Sequence, residues 1–136
     1  MKDIYDTVKE TEFLKTLSTA LDAVGLSETL SGPGPFTFFA PVEDYFLKLS
    51  VEDRKNFLQN KWKLERLLSS QVMADRVSII DIENMGLAKM INEKEFKIFV
   101  KNDGILIDEA KIMQSDIQCT NGMIHAVDGF FEKDEK

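Results

Sequence analysis

The run Phe36-Thr37-Phe38-Phe39-Ala40-Pro41 constrains this chain more than any other stretch. Aromatic and β-branched residues favour a strand. Side chains alternate along a strand, so Phe36 and Phe38 point one way and Phe39 the other. A strand apolar on both faces is normally central and covered twice. Ser31-Gly32-Pro33-Gly34-Pro35, just before it, is a turn cluster that no helix continues. Pro41 ends the strand, because proline has no N–H to give to a ladder.

The segments on either side can supply the two covers. Ile4, Tyr5 and Val8 form a short helical stripe. Phe13, Leu14, Leu17, Leu21 and Val24 recur at spacings of three and four, the period of one helix face. Thr11 can cap that second helix and Gly25 stops it. Leu26 and Leu30 predict one further turn. After the strand, Tyr45, Phe46 and Leu49 make a short amphipathic turn. Ser50 begins another helix with Glu52 and Asp53 in its first turn. Leu64, Leu67 and Leu68 give one more apolar face, with the only Trp, Trp62, read as a core anchor beside it and a ligand platform as the lesser reading.

The second half changes period. Residues 71–73 look extended, and Ile79, Ile80 and Ile82 predict a helical turn. Short strands follow over 87–91, 96–100, 105–107, 110–113 and 123–127, separated by turns at Asn102-Asp103-Gly104 and Asn121-Gly122. Helices first and strands later predict an α+β fold. At 136 residues the chain makes one domain over 1–136, with its core over about 3–131 and a charged, solvated tail over 132–136.

Several functions are excluded by what is missing. The net charge is −7, from 17 Lys plus Arg and 24 Asp plus Glu, which argues against nucleic acid and anionic membrane as partners. No apolar run is long enough to insert in a membrane. The start, Met1-Lys2-Asp3-Ile4-Tyr5-Asp6, is too charged for a signal peptide. One cysteine, Cys119, allows no internal disulfide and reads as a small buried hydrophobe. His125, the only histidine, reads as a half-buried residue tying a turn or strand, since a metal site needs several ligands. Met73, Met85, Met90, Met113 and Met123 read as gap-fillers. No nucleophile elbow, phosphate loop or calcium loop occurs, so neither an enzyme nor a cofactor is expected.

Two stretches carry a resemblance. Gly34-Pro35-Phe36-Thr37-Phe38-Phe39-Ala40-Pro41, with Tyr45-Phe46 downstream, resembles the first sequence box of the fasciclin domain. Ile117 with Asn121-Gly122-Met123-Ile124-His125-Ala126-Val127-Asp128 resembles its second box, and Leu14, Leu17 and Leu21 before Gly25-Leu26 are similar to its opening helix. The resemblance implies a wedge of two β-sheets packed orthogonally, with a helical bundle on one side. It implies a non-catalytic adhesion or protein-interaction domain at the cell surface or outside the cell, with a protein or cell-surface partner and weak self-association. An apolar pigment or lipid carrier, or a spacer in a larger surface protein, are the alternatives, the carrier drawing on apolar residues near Tyr5, Phe13, Phe38 and Trp62. Within the boxes Phe36, Thr37, Phe39, Pro41, Asn121, Gly122, Ile124 and His125 are expected to be structural.

The chain departs from the family where adhesion is usually placed. Many animal members carry Tyr-His after the leucine-rich helix, and here Gln71 stands where the His would be. Of the Glu-Pro-Asp-Ile-Met that often precedes the second box, only Asp116 and Ile117 match. Integrin binding is thus not expected to carry over, and the departures suit a microbial relative. Asp116, Ile117 and Gln71 are the candidate contact residues.

Overall fold

Asp3 opens the first helix by accepting the amide of Asp6, and α1 runs Ile4–Glu10 with Ile4 and Val8, one turn apart, buried. A 3-10 turn at Glu12–Leu14 leads into α2, Lys15–Val24, which buries Leu17, Ala20 and Leu21. Gly25, at φ 77, closes α2 as expected, and α3 follows at Leu26–Leu30. Thr11 is a correction. Its hydroxyl donates back to the Thr7 carbonyl, and no side chain at the chain-adjacent position caps α2. Glu43 does so from a distance, accepting the Thr16 amide at 2.6 Å and also the Thr16 hydroxyl. A carboxylate there meets both a free N–H and the positive end of the helix dipole. The computed structural model describes residues 1–131, so the expected charged tail at 132–136 lies outside the described residues.

The strand β1, Phe36–Pro41, pairs antiparallel with β2, Val72–Met73, and parallel with β7, Gly122–Val127. Beyond β7 lie β6 (Ala110–Cys119), β5 (Gly104–Ile107), β4 (Glu95–Lys101) and β3 (Leu87–Lys89). The order β2-β1-β7-β6-β5-β4-β3 is one hydrogen-bonded series, in which β6 joins the β1/β7 half to the β3–β5 half. The sequence predicts only four residues of β6. The rest is a polar run that breaks alternation, because register shifts interrupt the pairing between Ile112 and Gln114 and between Gln114 and Ile117. Helices α4 (Glu43–Leu47), α5 (Val51–Gln59) and α6 (Lys61–Ser69) lie between β1 and β2, and α7 (Ile79–Glu83) between β2 and β3. The fold is α+β.

Two separate apolar clusters cover the central strands. Phe38, Ala40 and Ile124 pack with Ile4, Leu17, Leu21, Leu64 and Leu68 on the helical side. Phe39 and Val127 pack with Ile82, Phe96, Ile107 and Phe131 on the side of the β3–β5 strands. Both Phe38 and Phe39 are fully buried, so β1 is covered twice as its composition predicts. Trp62 is the largest correction: it is 82% exposed. Residues two apart on a helix face away from each other, so burying Leu64 turns Trp62 outward. Phe13, 37% exposed, also leaves the core, because the 3-10 turn puts it out of phase with Leu14 and Leu17. Met113, 59% exposed, is a surface residue rather than a gap-filler, as Met85 is at 37%.

Candidate functional site

The second box turns from β6 to β7 through Thr120 and Asn121, with Cys119 opposite Gly122. The Asn121 side chain is almost entirely buried and fully used. Its Oδ1 accepts the Ile4 amide at 3.0 Å, and its Nδ2 donates to the carbonyls of Leu30 and Gly32 at 2.8 Å each. One amide thus satisfies a free N–H at the start of α1 and a free carbonyl at the end of α3. Its backbone carbonyl accepts the Phe36 amide at 3.0 Å, which begins the β1/β7 pairing. Asn121→Ala leaves those backbone groups buried without partners and is expected to cost about 2–3 kcal/mol, read from urea unfolding.

Thr37, His125 and Asp116 converge on one loop, 75–79. The Thr37 hydroxyl donates to the Asp75 carbonyl at 2.6 Å and accepts the Val77 amide at 2.8 Å. His125 Nδ1 accepts the Asp116 amide at 3.1 Å, which assigns the ring proton to Nε2, facing the Val77 carbonyl at 2.7 Å. Asp116 sits at φ 60 within the irregular part of β6, and its carboxylate accepts the Ile79 amide at 2.9 Å, the first N–H of α7. Arg76 reaches over the same strands to the Cys119 carbonyl and the Gln118 side chain. The family-box residues are therefore a clamp: side chains of β1, β6 and β7 hold the loop that links β2 to α7. His125 is completely buried, not half-buried as its spacing suggests.

Burial pushes the His125 imidazole below its ordinary pKa, against smaller opposing effects from the Val77 carbonyl and the Asp116 carboxylate. The unfolded chain titrates near 6.5. Above that pH the ring is neutral in both states and its stabilising contacts are complete. As the pH falls below about 6.5 the unfolded state takes up a proton that the folded state resists, and stability falls by up to about 1.4 kcal/mol per pH unit. The loss continues until the folded-state imidazole itself titrates. Urea midpoints measured across this range check the slope, and His125→Gln is expected to lack the histidine part of it.

Gln71 is also a correction. It is fully buried, so its side chain offers no surface to a partner. Its Nε2 donates to the Phe39 carbonyl and its Oε1 accepts the Phe131 amide, both at 2.8 Å, while its own carbonyl accepts the Phe39 amide. Gln71 pins β1 to the end of the described chain. Ile117 stands opposite Ile124 and packs, partly buried, on the helical cluster. Pro41 stands opposite Val127 in the parallel pair. Both His125 nitrogens are engaged by backbone groups, the Asp116 amide and the Val77 carbonyl. Burial raises the Cys119 thiol pKa and keeps it protonated, with Thr7 beside it. Among the described residues no group of three or more His, Cys, Asp and Glu converges as a metal site, and no helix is long and apolar enough to cross a membrane. The apolar residues near which a carrier pocket was expected do not meet: Phe38 is fully buried, while Phe13 and Trp62 face solvent.

The exposed side of the β3–β6 strands shows something the sequence did not announce. Alternation in β4 turns Phe96 and Ile98 inward and leaves Lys97, Phe99 and Lys101 outward. The register sets Leu87 beside Lys97, Phe99 beside Leu106, and Leu106 beside Lys111. Lys111 lies with its stem over Gly104. Leu87 is 45%, Phe99 43% and Met113 59% exposed. With Lys89 paired to Glu95 at one end, four lysines edge an apolar centre on these outward positions, and Asp108 and Asp128 stand beside two of them, accepting the amides of Lys97 and Lys111. The signal was present as lysines at alternate strand positions, but a net charge of −7 averages it away.

A family model described as the fasciclin domain matches residues 12–132. The chain is 30% identical over 128 residues to the protein sll1735 of Synechocystis, covering 94% of this chain and 96% of that protein. It is 31% identical over 130 residues to human periostin, covering 93% of this chain and 15% of periostin. The structure superposes with a TM-score of 0.82 on a FAS1 domain pair from the insect cell adhesion molecule Fasciclin I, at 14% identity, covering 97% of this chain and 51% of that one.

Proposed function

The chain belongs to the fasciclin domain family, and from that premise we propose that it is a non-catalytic adhesion module that docks a protein partner on the outer face of β3–β6. The observation that carries this reading is the lysine-edged apolar face of Leu87, Phe99 and Leu106. Exposed apolar groups in one patch mark a contact surface. An aromatic residue at its centre and charges at its rim are the usual layout of one. The box residues do not compete for the role, because their polar atoms are spent inside the fold. The partner is a protein surface with an apolar patch and with carboxylates placed to meet Lys97 and Lys101 at the rim. A structural relative is a cell adhesion molecule, and the surface or extracellular setting of the family fits this reading. Similarity to a Synechocystis protein over nearly its whole length fits a microbial source.

The test is attachment of cells of the source organism to the immobilised domain. Phe99→Asp, or Lys97→Glu with Lys101→Glu, is expected to weaken attachment at least about tenfold with the circular dichroism unchanged. Rising salt is expected to weaken the wild type and not the double lysine variant. Asp116→Ala and Ile117→Ala are expected to lower stability and leave attachment of the folded protein intact. Full attachment by the face variants would overturn the assignment. Self-association of the wild type that the same variants abolish, with no change in attachment, would reassign the face to contact between copies of this chain.

A further inference from the structure

The exposed stripe of α6 holds Trp62, Glu65, Arg66 and Ser69, at spacings of three, four and seven from the indole. Facing it is Asn92, in the turn between β3 and β4. Its Nδ2 donates to the Ser70 hydroxyl at 2.8 Å and its Oδ1 accepts the Lys94 amide at 3.2 Å, so the amide is held in place from both ends. These five side chains line an open groove of about 330 Å³. The groove shares no residue with the face of β3–β6, although Asn92 lies in the turn that joins β3 to β4.

The lining is unusual in its mixture. One large aromatic plate is exposed, and every other wall is a hydrogen-bonding group. Glu65 accepts, the Arg66 guanidinium donates, and the Ser69 hydroxyl and Asn92 amide do both. Glu65 and Arg66 carry opposite charges, so the walls are neutral as a set. A lipid would take the Glu65 carboxylate and the Ser69 hydroxyl out of water and offer them no hydrogen bond, which costs more than the indole contact returns. A nucleotide could stack on Trp62, but its phosphates would meet Glu65 and a chain of net charge −7. A pyranose has what the groove lacks: an apolar C–H face on one side and a ring of hydroxyls that both donate and accept. The volume sits at the small end of the range for ligand sites, of about 300–1,000 Å³. We propose that the Trp62 groove is a binding subsite for a neutral saccharide, holding a sugar ring against the indole and its hydroxyls against Glu65, Arg66, Ser69 and Asn92.

Trp62 is the only Trp in the chain, so intrinsic tryptophan fluorescence reports on this groove alone. The full chain is titrated with neutral gluco-, xylo-, manno- and galacto-oligosaccharides and with oligomers of N-acetylglucosamine. A saturable change in emission is expected with at least one series at concentrations up to about 10 mM. By calorimetry, Trp62→Ala is expected to lower that affinity at least about tenfold and Trp62→Phe less, since a ring face is kept. Both variants are expected to keep the wild-type melting curve, because the side chain is outside the core. Glu65→Gln and Ser69→Ala are expected to change the preference among sugars more than the emission maximum. No saturable response to any series would overturn the assignment, and so would binding that survives Trp62→Ala. Preferential binding of a fatty acid or a nucleotide at Trp62 would overturn the saccharide class.

Discussion

Phe39→Ala is expected to lower the unfolding free energy by about 3–5 kcal/mol in denaturant melts, the range for a fully buried large-to-small change. The side chain is completely buried on the β3–β5 side of β1. Its ring lies 5.3 Å from Phe131, edge on, and 5.5 Å from the imidazole of His125. Truncation removes both contacts at once and opens a void between two rigid neighbours. Polar groups hold those neighbours in place. Phe131 is fixed by Gln71 and His125 by Asp116 and Val77, so the site has little freedom to collapse. A loss below about 1 kcal/mol, the scale of an ordinary surface change, would show that β1 is not covered on that side.

Gly122→Ala is expected to be at least as damaging. A Cβ at Gly122 would stand 1.8 Å from the carbonyl oxygen of Phe36 and 2.7 Å from its carbonyl carbon. Both obstacles are backbone, so no rotamer change relieves the contact. The φ of 157 is also one that a side chain resists. Since Phe36 and Gly122 are the first pair of the parallel β1/β7 ladder, relief requires the two central strands to separate at that end. The expected cost is at least about 4 kcal/mol, within the rare class of substitutions that strain or clash with backbone. Thermal melts and the soluble yield are the readouts, with a near-native Tm as the contrary result. The glycine of the Asn-Gly turn thus serves the close approach of β1 rather than the turn alone.

The parts of the fold that were legible in the sequence are those whose cause is local. Phe38 and Phe39 declare a doubly covered strand by adjacency. Leu14, Leu17 and Leu21 declare a helix face, and Gly25 its end. The errors arise where a distant partner decides. Thr11 lost the cap of α2 to Glu43, which is 27 residues from Thr16. The hydroxyl, amide and imidazole groups of the boxes reach still further: Asn121 to Ile4 spans 117 residues and to Leu30 spans 91. No periodicity encodes such contacts. Trp62 failed for another reason. Size and apolar character suggested burial, but its phase against Leu64, Leu67 and Leu68 put it outside.

The candidate contact residues show the same division. Gln71 and Asp116 stood out because they mark where the chain departs from or matches the family pattern. Gln71 is a buried strut, and the Asp116 carboxylate holds the start of α7. The exposed face of β3–β6 did not stand out, because Leu87, Phe99 and Leu106 lie on three different strands and only the register brings them together. Overall charge concealed it as well, since four lysines on one face are outvoted by acids spread over the rest of the chain.

The two sequence boxes hold the fold, and on the proposed reading contact is made on the β3–β6 face. The most direct test measures two quantities on the same proteins: unfolding free energy in urea, and attachment at a temperature where every variant is folded. For His125→Gln and Asn121→Ala the account predicts a clear loss of stability with wild-type attachment. For Phe99→Asp, and for Lys97→Glu with Lys101→Glu, it predicts wild-type stability with attachment reduced at least about tenfold. Reduced attachment by the folded box variants, with the face variants unaffected, would contradict it.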